Sequence, residues 1–422
     1  MYSYTYDEET GGLLLNSSPL SFSKEPRPVY YQEMDILGFG SHWKYEKNDS
    51  KPYMWAESNN YYYRGQLVAK ARGGSLFTPP QVTFFDEIIQ YNSALHPVDI
   101  SRMIIKNKDI LESLTQATIK KIYNTFISYQ NKVDLFYVAF SGGKDSVVAF
   151  DLVQRALPHN SFCVLFGNTG MELPDTYDLV KLFKSFCQDH NITFYQAQSE
   201  MPPCDTWDLF GPPSVTNRWC CSVHKTSPQV RLLHELTKQD TIGMAFTGIR
   251  GAESLSRNEY DDISYGGKHS GQYSCHPILE WNSAELFCYI FQQDLLVNAA
   301  YKKGLSRVGC LVCPMSSGIH EFMKHNWYPN EMQFFCDKIH STSGKNFTKE
   351  EMTRFIDEGN WKTRKSGREL NFGFDLFRIE TKDNKTSIIT SVPDLEWLEW
   401  AKTLGCYNLL LPLDDQSQRM TS

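Results

Sequence analysis

The chain has 422 residues, of which 41% are apolar and 14% aromatic, a composition typical of folded globular proteins and not of disordered ones. Its 42 Lys and Arg against 49 Asp and Glu give a net charge of -7, which excludes a uniformly basic nucleic-acid coat but leaves local basic patches open. The length predicts two or three domains. No apolar run approaches the roughly 20 residues that span a bilayer, and the acidic N-terminus shows no targeting signal, so we expect a cytoplasmic protein that does not contact membranes.

Residues 1–108 form the first predicted domain, which is rich in Tyr, Trp, Pro and Gly and is divided by turn signals such as Asn59-Asn60. This pattern predicts short strands and hairpins, and therefore a small β-rich domain. The aromatic residues between Trp43 and Gly65 either stack nucleic-acid bases beside nearby Lys and Arg or fill the core of this domain, and we favour the core.

Residues 109–315 form the second predicted domain, which opens on an amphipathic helix from Ile110 to Tyr129. Helical stripes then alternate with four short apolar runs, which are Leu135–Phe140, Phe162–Phe166, Ile192–Ala197 and Thr241–Thr247. This alternation predicts a mostly parallel sheet with helices on both faces, which is an α/β fold.

Residues 316–422 are predicted to form a helical extension of mixed helix and loop. The extension contains a basic cluster that either contacts nucleic-acid phosphates or forms a solvated face, and its members are Lys362, Arg364, Lys365 and Arg368.

The most informative segment is Ser141–Ser146, which reads Ser-Gly-Gly-Lys-Asp-Ser and lies between the first apolar run and a helical stripe. Gly142 and Gly143 permit backbone angles closed to other residues, and the amides that open the following helix attract anions. The two serine hydroxyls and the charge of Lys144 also suit phosphate groups. Asp145 either holds Mg²⁺ or orients the loop. The spacing differs from that of a Walker loop, so the segment predicts a phosphate-binding turn of another kind.

This segment resembles the PP-loop of the ATP pyrophosphatase superfamily, and the motifs that follow it are similar to those of the phosphoadenosine phosphosulfate (PAPS) reductase family. They occur in order between about residues 135 and 315, as Gly167-Asn168-Thr169-Gly170 with Pro174-Asp175-Thr176-Tyr177, Cys220-Cys221 with Lys225 and Pro228, Gly248-Ile249-Arg250 with Glu253-Ser254 and Arg257, Pro277-Ile278 with Trp281, and Tyr301 with Gly304, Arg307-Val308-Gly309-Cys310 and Cys313.

The resemblance implies a Rossmann-like sheet of the adenine nucleotide alpha hydrolase-like kind, with the nucleotide at the carboxyl ends of the strands. The nucleotide-binding residues that it implies are Ser141, Gly142, Gly143, Lys144, Asp145, Ser146, Asn168, Thr169, Gly248, Arg250 and Arg257. It assigns catalysis to Lys144, Asp145, Arg250 and Arg257. The alternative for the two arginines, whose planar forks suit oxyanions, is a surface ion pair with Glu253 or Glu259.

Four of the eleven cysteines form a distinct set, Cys220-Cys221 and Cys310-Leu311-Val312-Cys313. Four thiolates suit an iron–sulfur cluster or tetrahedral zinc, and redox thiols or four unrelated buried cysteines are further alternatives. The adjacent pair resembles the 4Fe–4S motif of adenylyl-sulfate reductases and of the ATP pyrophosphatases of DNA phosphorothioation systems. The resemblance therefore implies a 4Fe–4S cluster on these four residues, with zinc as the alternative. Lys225, Arg218 and Arg307 are candidates to balance its charge.

The resemblance implies an enzyme that binds ATP with Mg²⁺, releases pyrophosphate and adenylates an acceptor for sulfur transfer. DNA phosphorothioation is the predicted context, with a cysteine desulfurase as sulfur source, other modification subunits as partners, and DNA favoured over tRNA as nucleic acid. The alternatives are a tRNA-thiolating enzyme, a sulfonucleotide reductase and a nucleotide-sensing subunit without catalysis. A reductase requires a nucleophilic thiol near its substrate, and Cys406 matches the family's C-terminal Glu-Cys-Gly segment poorly.

Overall fold

We examined a computed structural model of the chain. The structure describes residues 1–20, 23–85, 87–237, 241–266, 271–316, 318–342, 347–363, 377–382, 385–390 and 397–403. The predicted fold class is confirmed, since a central, mainly parallel sheet is flanked by helices and is accompanied by β-rich N-terminal and helical C-terminal regions.

The N-terminal region consists of a hairpin, a five-stranded antiparallel sheet and one short helix. The hairpin pairs β1 (Tyr2–Tyr6) with β2 (Leu13–Pro19). The sheet has the order β3 (Arg27–Val29), β4 (Met54–Glu57), β5 (Asn60–Tyr63), β6 (Gln66–Arg72) and β7 (Gln81–Phe84), and α1 (Tyr31–Ile36) follows β3. The largest aromatic side chains of this region are 0–2% exposed, and they are Trp43, Tyr53, Trp55 and Tyr61. These four rings fill the core, as favoured above, and are not available to stack bases.

Helix α2 (Ile100–Tyr129) begins ten residues earlier than the hydrophobic stripe predicts. Asp99 caps its first turn by accepting a hydrogen bond from the Arg102 amide. Polar Asn107 then lies on the buried side, where its side chain bonds the backbone of Leu13 and Leu15 in β2. Asn107 can be buried because its polar atoms are hydrogen-bonded to the strand. Since a polar residue interrupts the apolar pattern in the sequence, the prediction missed this part of the helix.

The central sheet has the strand order β10-β9-β8-β11-β13-β12, and only β12 at its edge is antiparallel to its neighbour. The strands are β8 (Leu135–Phe140), β9 (Cys163–Asn168), β10 (Thr193–Gln198), β11 (Gly243–Phe246), β12 (Ile263–Tyr265) and β13 (Gln272–Cys275). The four predicted apolar runs correspond to β8, β9, β10 and β11. The helices of this part are α3 (Lys144–Ala156), α4 (Pro174–Asp189), α5 (Pro203–Phe210), α6 (Trp219–Cys221), α7 (Ser227–Thr237), α8 (Leu255–Asn258) and α9 (Ser283–Gln292).

The C-terminal extension contains four described helices and a two-stranded antiparallel sheet. These are α10 (Gly318–Trp327), α11 (Pro329–Thr342), α12 (Lys349–Asp357), β14 (Phe377–Lys382), β15 (Lys385–Thr390) and α13 (Trp397–Lys402). Its first helices share one hydrophobic core with the N-terminal sheet and with the segments that carry the cysteine pairs. Buried members of this shared core are Trp43, Tyr61, Trp219, Leu311, Met323 and Phe335. Both terminal regions therefore pack against the cysteine-bearing side of the central sheet.

Candidate active site

The phosphate loop connects β8 to α3 at the carboxyl end of the sheet, where ligands bind in folds of this kind. Gly142 adopts φ +71°, a conformation that L side chains rarely adopt. A Cβ atom at this position would also lie 2.9 Å from Cγ2 of Thr176 in α4. The glycine therefore permits both the sharp turn and the close approach of α4.

Hydrogen bonds from the loop's own serines hold it in shape. The Ser146 hydroxyl accepts from the Ser141 amide at 3.1 Å and donates to the Gly143 carbonyl at 2.8 Å. The Lys144 amide donates to the hydroxyl of Tyr301 at 2.8 Å. Within the described residues, the amides of Gly142, Asp145 and Ser146 have no hydrogen-bond acceptor. The loop thus presents amides at the start of a 13-residue helix, which is a suitable arrangement for an anion.

Three of the predicted catalytic side chains meet at this loop. Asp145 accepts from Lys144 Nζ at 2.8 Å through one carboxylate oxygen and from Arg250 Nε at 2.6 Å through the other. Both cations are buried, with 4% exposure for Lys144 and 1% for Arg250. The contacts place Asp145 between the two cations, an arrangement that differs from both roles predicted for it, which were to hold Mg²⁺ or to orient the loop.

The pKa values of this group follow from burial and charge. Burial lowers the pKa of Lys144, although the neighbouring carboxylate opposes that change. Burial by itself would raise the pKa of Asp145, but Lys144 and Arg250 together lower it well below its ordinary value. The carboxylate is therefore ionised throughout the neutral range and keeps both cations fixed.

Gly248 lies against this loop because it has no side chain. A Cβ atom there would lie 2.5 Å from the carbonyl carbon and oxygen of Asp145 and 2.7 Å from the Ser146 amide nitrogen. Because the neighbours are backbone atoms, they cannot move aside without disturbing the loop. The structure thus places Gly248 as a packing residue that brings the segment containing Arg250 against the start of α3.

Arg250 has a second partner that the sequence did not predict. Its Nη1 atom donates to a Glu25 carboxylate oxygen at 2.5 Å, from a segment 225 residues away in the N-terminal region. No local pattern around Glu25 indicates this contact, since only the fold brings the two residues together.

Arg257, the fourth predicted catalytic residue, pairs with Glu253, as the alternative above anticipated. Its side chain is 30% exposed, and Arg307 Nη2 lies 3.6 Å from the other carboxylate oxygen of Glu253. Burial lowers the pKa of Arg257, and the like charge of Arg307 lowers it further. Two accessible arginines thus share one carboxylate beside the loop. Arg307 therefore belongs to this cationic group, and the structure does not pair it with the cysteines.

Asn168 and Thr169 lie at the end of β9 and hold the loop that leads to α4. Asn168 donates to Gln198 at 3.1 Å, and its carbonyl oxygen accepts from the Gly170 amide at 2.9 Å and from the Tyr177 hydroxyl at 3.3 Å. Thr169 donates to the partly buried carboxylate of Glu172 at 2.8 Å. Burial raises the pKa of Glu172.

The cysteine pairs lie next to this β9–α4 loop. Cys310 forms an isolated antiparallel bridge with Glu172, the Leu311 amide donates to the Met171 carbonyl at 2.7 Å, and the Thr169 hydroxyl lies 3.6 Å from Cys310 Sγ. The Cys310–Cys313 loop is therefore joined by hydrogen bonds to the segment that carries Asn168 and Thr169.

The four predicted thiols interact electrostatically but do not form a preassembled metal site. A hydrogen bond with Cys221, burial, and the proximity of Cys221, Cys310 and Cys313 raise the pKa of Cys220. Burial raises the pKa of Cys310 to about 12. Across the part of the chain that the structure describes, no three Cys, His, Asp or Glu side chains are arranged to hold a metal ion. The donor set suits iron or zinc chemically, but its side chains would have to reorient to coordinate either.

A buried lysine accompanies these cysteines. Lys324 in α10 is 5% exposed, and its ammonium group donates to the Cys310 carbonyl at 2.9 Å. Burial lowers its pKa, and the neighbouring Cys313, Cys310 and Glu172 oppose that change. The described residues place no carboxylate within ion-pair distance of it. Arg218 and Lys225, predicted to balance a cluster charge, are both exposed.

Some predicted features fall outside the described residues. They are Cys406 and three members of the basic cluster, Arg364, Lys365 and Arg368. Lys362 is described, and its ammonium group pairs with Glu321 at 2.7 Å. In the parts of the chain for which coordinates are described, no helix has the length and apolar character needed to cross a membrane.

Comparisons with known proteins match the part of the chain that contains the phosphate loop. A family model for the phosphoadenosine phosphosulfate reductase domain matches residues 136–316. An uncharacterized protein of Methanocaldococcus jannaschii is 30% identical over 238 residues, which are 56% of this chain and 54% of that protein. The adenosine 5'-phosphosulfate reductase of Halalkalibacterium halodurans is 24% identical over 244 residues, which are 56% of this chain and 92% of the reductase. The chain thus spans about half the length of the M. jannaschii relative.

Among solved structures, the phosphoadenylyl-sulfate reductase of Candida auris in its phosphate complex is 18% identical, with a TM-score of 0.37. The similarity covers 47% of this chain and 93% of that one. The phosphate loop, the ordered motifs and the family match together make residues 136–316 similar to the PAPS reductase-like family of the PP-loop superfamily.

Proposed function

We propose that the protein is a PP-loop enzyme that hydrolyses or transfers the adenylyl group of ATP with release of pyrophosphate. In this reaction an acceptor oxygen attacks the α-phosphorus of ATP and forms a new P–O bond. The bond between the α-phosphorus and the bridging oxygen to the β-phosphorus breaks, and pyrophosphate leaves with the electron pair. The adenylated acceptor is then activated for replacement of AMP by a sulfur nucleophile.

One observation carries the proposal, namely the Lys144–Asp145–Arg250 group beside the open amides of the phosphate loop. Phosphoryl chemistry of this kind depends on positioning and on stabilising negative charge, and preoriented cations in a buried site do both. The loop amides would bind the phosphates, Lys144 would face the charge that develops on them, and Asp145 would keep the two cations in place.

ATP would enter as its Mg²⁺ complex, and the metal would neutralise the charge of the phosphates and polarise them. Both Asp145 oxygens already accept hydrogen bonds from cations, so in this proposal the metal's protein ligands are not drawn from Asp145. Arg257 and Arg307 are accessible cations that share Glu253, and together with Arg250 they would receive the outer phosphates.

We further propose that Cys220, Cys221, Cys310 and Cys313 hold a 4Fe–4S cluster, with zinc as the alternative occupant. Two features support an anionic group there: the four thiols lie within electrostatic reach of one another, and the buried ammonium of Lys324 lies near Cys310 and Cys313. When bound, a cluster supplies a redox-active or rigid anionic centre. The link from Cys310 through Thr169 and Glu172 would couple this centre to the β9–α4 loop.

The acceptor that we propose is a DNA backbone phosphate, with a cysteine desulfurase as the sulfur source and further modification subunits as partners. This assignment rests on the resemblance of the cysteine set and phosphate loop to DNA phosphorothioation proteins. A tRNA acceptor is the variant of the same chemistry.

A second function is favoured by a different observation, since the chain aligns with most of the length of a reductase that is named for adenosine 5'-phosphosulfate. In that reaction a thiol attacks the sulfonyl sulfur and AMP leaves, after which a dithiol releases sulfite. Among the described residues, we assign no cysteine to the role of this attacking thiol.

The test uses full-length protein purified without oxygen. Pyrophosphate release from γ-³²P-labelled ATP is measured alone, with duplex DNA, and with tRNA, each with and without a desulfurase and cysteine. Sulfite release from adenosine 5'-phosphosulfate is measured in parallel with thioredoxin. DNA-stimulated pyrophosphate release supports the proposal, tRNA-stimulated release changes the acceptor, and sulfite release without pyrophosphate release replaces the proposal with the reductase.

A further inference from the structure

An ion pair joins the N-terminal region to Arg250, one of the predicted nucleotide-binding residues. Arg250 Nη1 lies 2.5 Å from a carboxylate oxygen of Glu25, and the arginine is 1% exposed. The Nε atom of Arg250 donates to Asp145, so this guanidinium group is bound by two carboxylates, those of Asp145 and Glu25. An outer phosphate cannot approach the Nη1 side of Arg250 while Glu25 remains there.

The other carboxylate oxygen of Glu25 occupies a second anion-binding position. It accepts a hydrogen bond of 3.1 Å from the Ser283 amide, which opens the ten-residue helix α9. An arginine fork and an amide at the start of a helix are the groups that proteins use to bind phosphate oxygens. The Glu25 carboxylate thus takes the place of an oxyanion between them.

The backbone at Glu25 is held in an unfavourable conformation. Its φ of 54° lies in the left-handed region, and the residue precedes Pro26, which disfavours helical backbone angles in the residue before it. Such strain persists only where surrounding contacts maintain it. The side chain is also 26% exposed, so release of its two contacts would need no opening of the core.

We propose that Glu25 is an internal competitor of the substrate, whose carboxylate occupies the oxyanion position on Arg250 and is displaced by the outer phosphates of the nucleotide. The competitor comes from outside the matched residues 136–316, so it is a property of this chain's N-terminal region. The inference rests on the proposed nucleotide binding. Its consequence is that the apparent affinity equals the intrinsic affinity multiplied by the fraction of molecules in which Arg250 is free of Glu25.

Two variants separate the contact from the charge. Glu25→Gln removes the charge and weakens the contact, whereas Glu25→Asp keeps the charge but is one methylene too short to reach both partners. Glu259→Gln is the matched control, because Glu259 is an exposed acid at the end of α8 and its substitution removes one charge without touching Arg250. Calorimetric titration with Mg-ATP and with inorganic pyrophosphate gives the dissociation constant of each protein.

We expect Glu25→Gln to bind both ligands about fivefold or more tightly than the wild type, Glu25→Asp to bind with intermediate affinity, and the control to change less than about twofold. Unchanged or weaker binding by both Glu25 variants, with normal binding by the wild type, overturns the inference and leaves the proposed function standing. Absence of binding by all four proteins at several millimolar ligand overturns both. If Glu25→Gln fails to fold in a thermal melt, the Glu25→Asp result decides.

Discussion

The phosphate loop and the cysteine set lie at the same end of the parallel sheet, but they are built differently. The loop is one contiguous segment whose shape comes from its own glycine and serines, with Arg250 held at Asp145. The cysteine set is assembled from two distant pairs, the β9–α4 loop and helix α10 of the C-terminal extension. The loop therefore holds its charged groups in fixed ion pairs, whereas no three of these four described thiols are arranged to hold a metal ion. The predictions below separate the two regions, from the largest expected effect to the smallest.

Asp145→Asn should disable the phosphate loop and leave the cysteine set intact. Loss of the carboxylate releases Lys144 and Arg250 from their fixed positions, and we expect kcat/KM for pyrophosphate release to fall about 100-fold or more. Asp178→Asn, an exposed acid on α4, serves as the control. Iron content should match the wild type in both variants. A drop of less than about threefold for Asp145→Asn would remove Asp145 from the catalytic group.

Cys310→Ser should have the opposite pattern. If the four thiols hold iron, protein purified without oxygen is brown, and this variant should lose most of its visible absorbance and iron while it still binds Mg-ATP. Cys204→Ser is the control, since Cys204 lies outside the set.

Lys324→Met extends the Cys310→Ser experiment. Removal of the buried ammonium beside Cys310 should lower the cluster's reduction potential, because an anionic centre then loses a positive neighbour. Full iron in Cys310→Ser would contradict the ligand assignment. An unchanged potential in Lys324→Met would contradict the charge-balancing role alone.

As the pH falls, acid should destabilise the packing around the cysteine pairs at a higher pH than it breaks the ion pairs of the phosphate loop. His224 is 1% exposed and shares a 2.8 Å hydrogen bond with Thr206, and burial lowers its pKa from 6.5 to about 4. The unfolded chain therefore takes up a proton at a higher pH than the folded one. The neutral histidine's contribution is fully present above pH 6.5 and is lost as the pH falls toward 4, by about 3 kcal/mol at most.

Urea unfolding between pH 7.5 and 4 measures this loss, and His159→Asn, which changes a partly exposed histidine, is the control. The Asp145 ion pairs should persist through the same range because the pKa of Asp145 is lowered. If the free energy of unfolding of the wild type does not change over this range, neutral His224 does not stabilise the fold as described.

Sequence patterns predicted the features that depend on neighbouring residues. Strand β8 occupies the predicted Leu135–Phe140, and the phosphate loop follows it as expected. The predicted start of α2 was wrong because Asn107 is buried through specific hydrogen bonds with β2, and a hydrophobic stripe cannot indicate such bonds. The partners Glu25, Glu172 and Lys324 were missed because each reaches its site only through tertiary packing.

The central claim is that the loop Ser141–Ser146 binds the phosphates of ATP. Its most direct measurement is a calorimetric titration of the full-length protein with Mg-ATP, compared with Ser146→Ala, which removes the hydroxyl that braces the loop. We expect saturable binding at one site per chain and a clear loss of affinity in the variant. The absence of saturable heat at several millimolar ATP, or equal affinity in both proteins, would contradict the central claim.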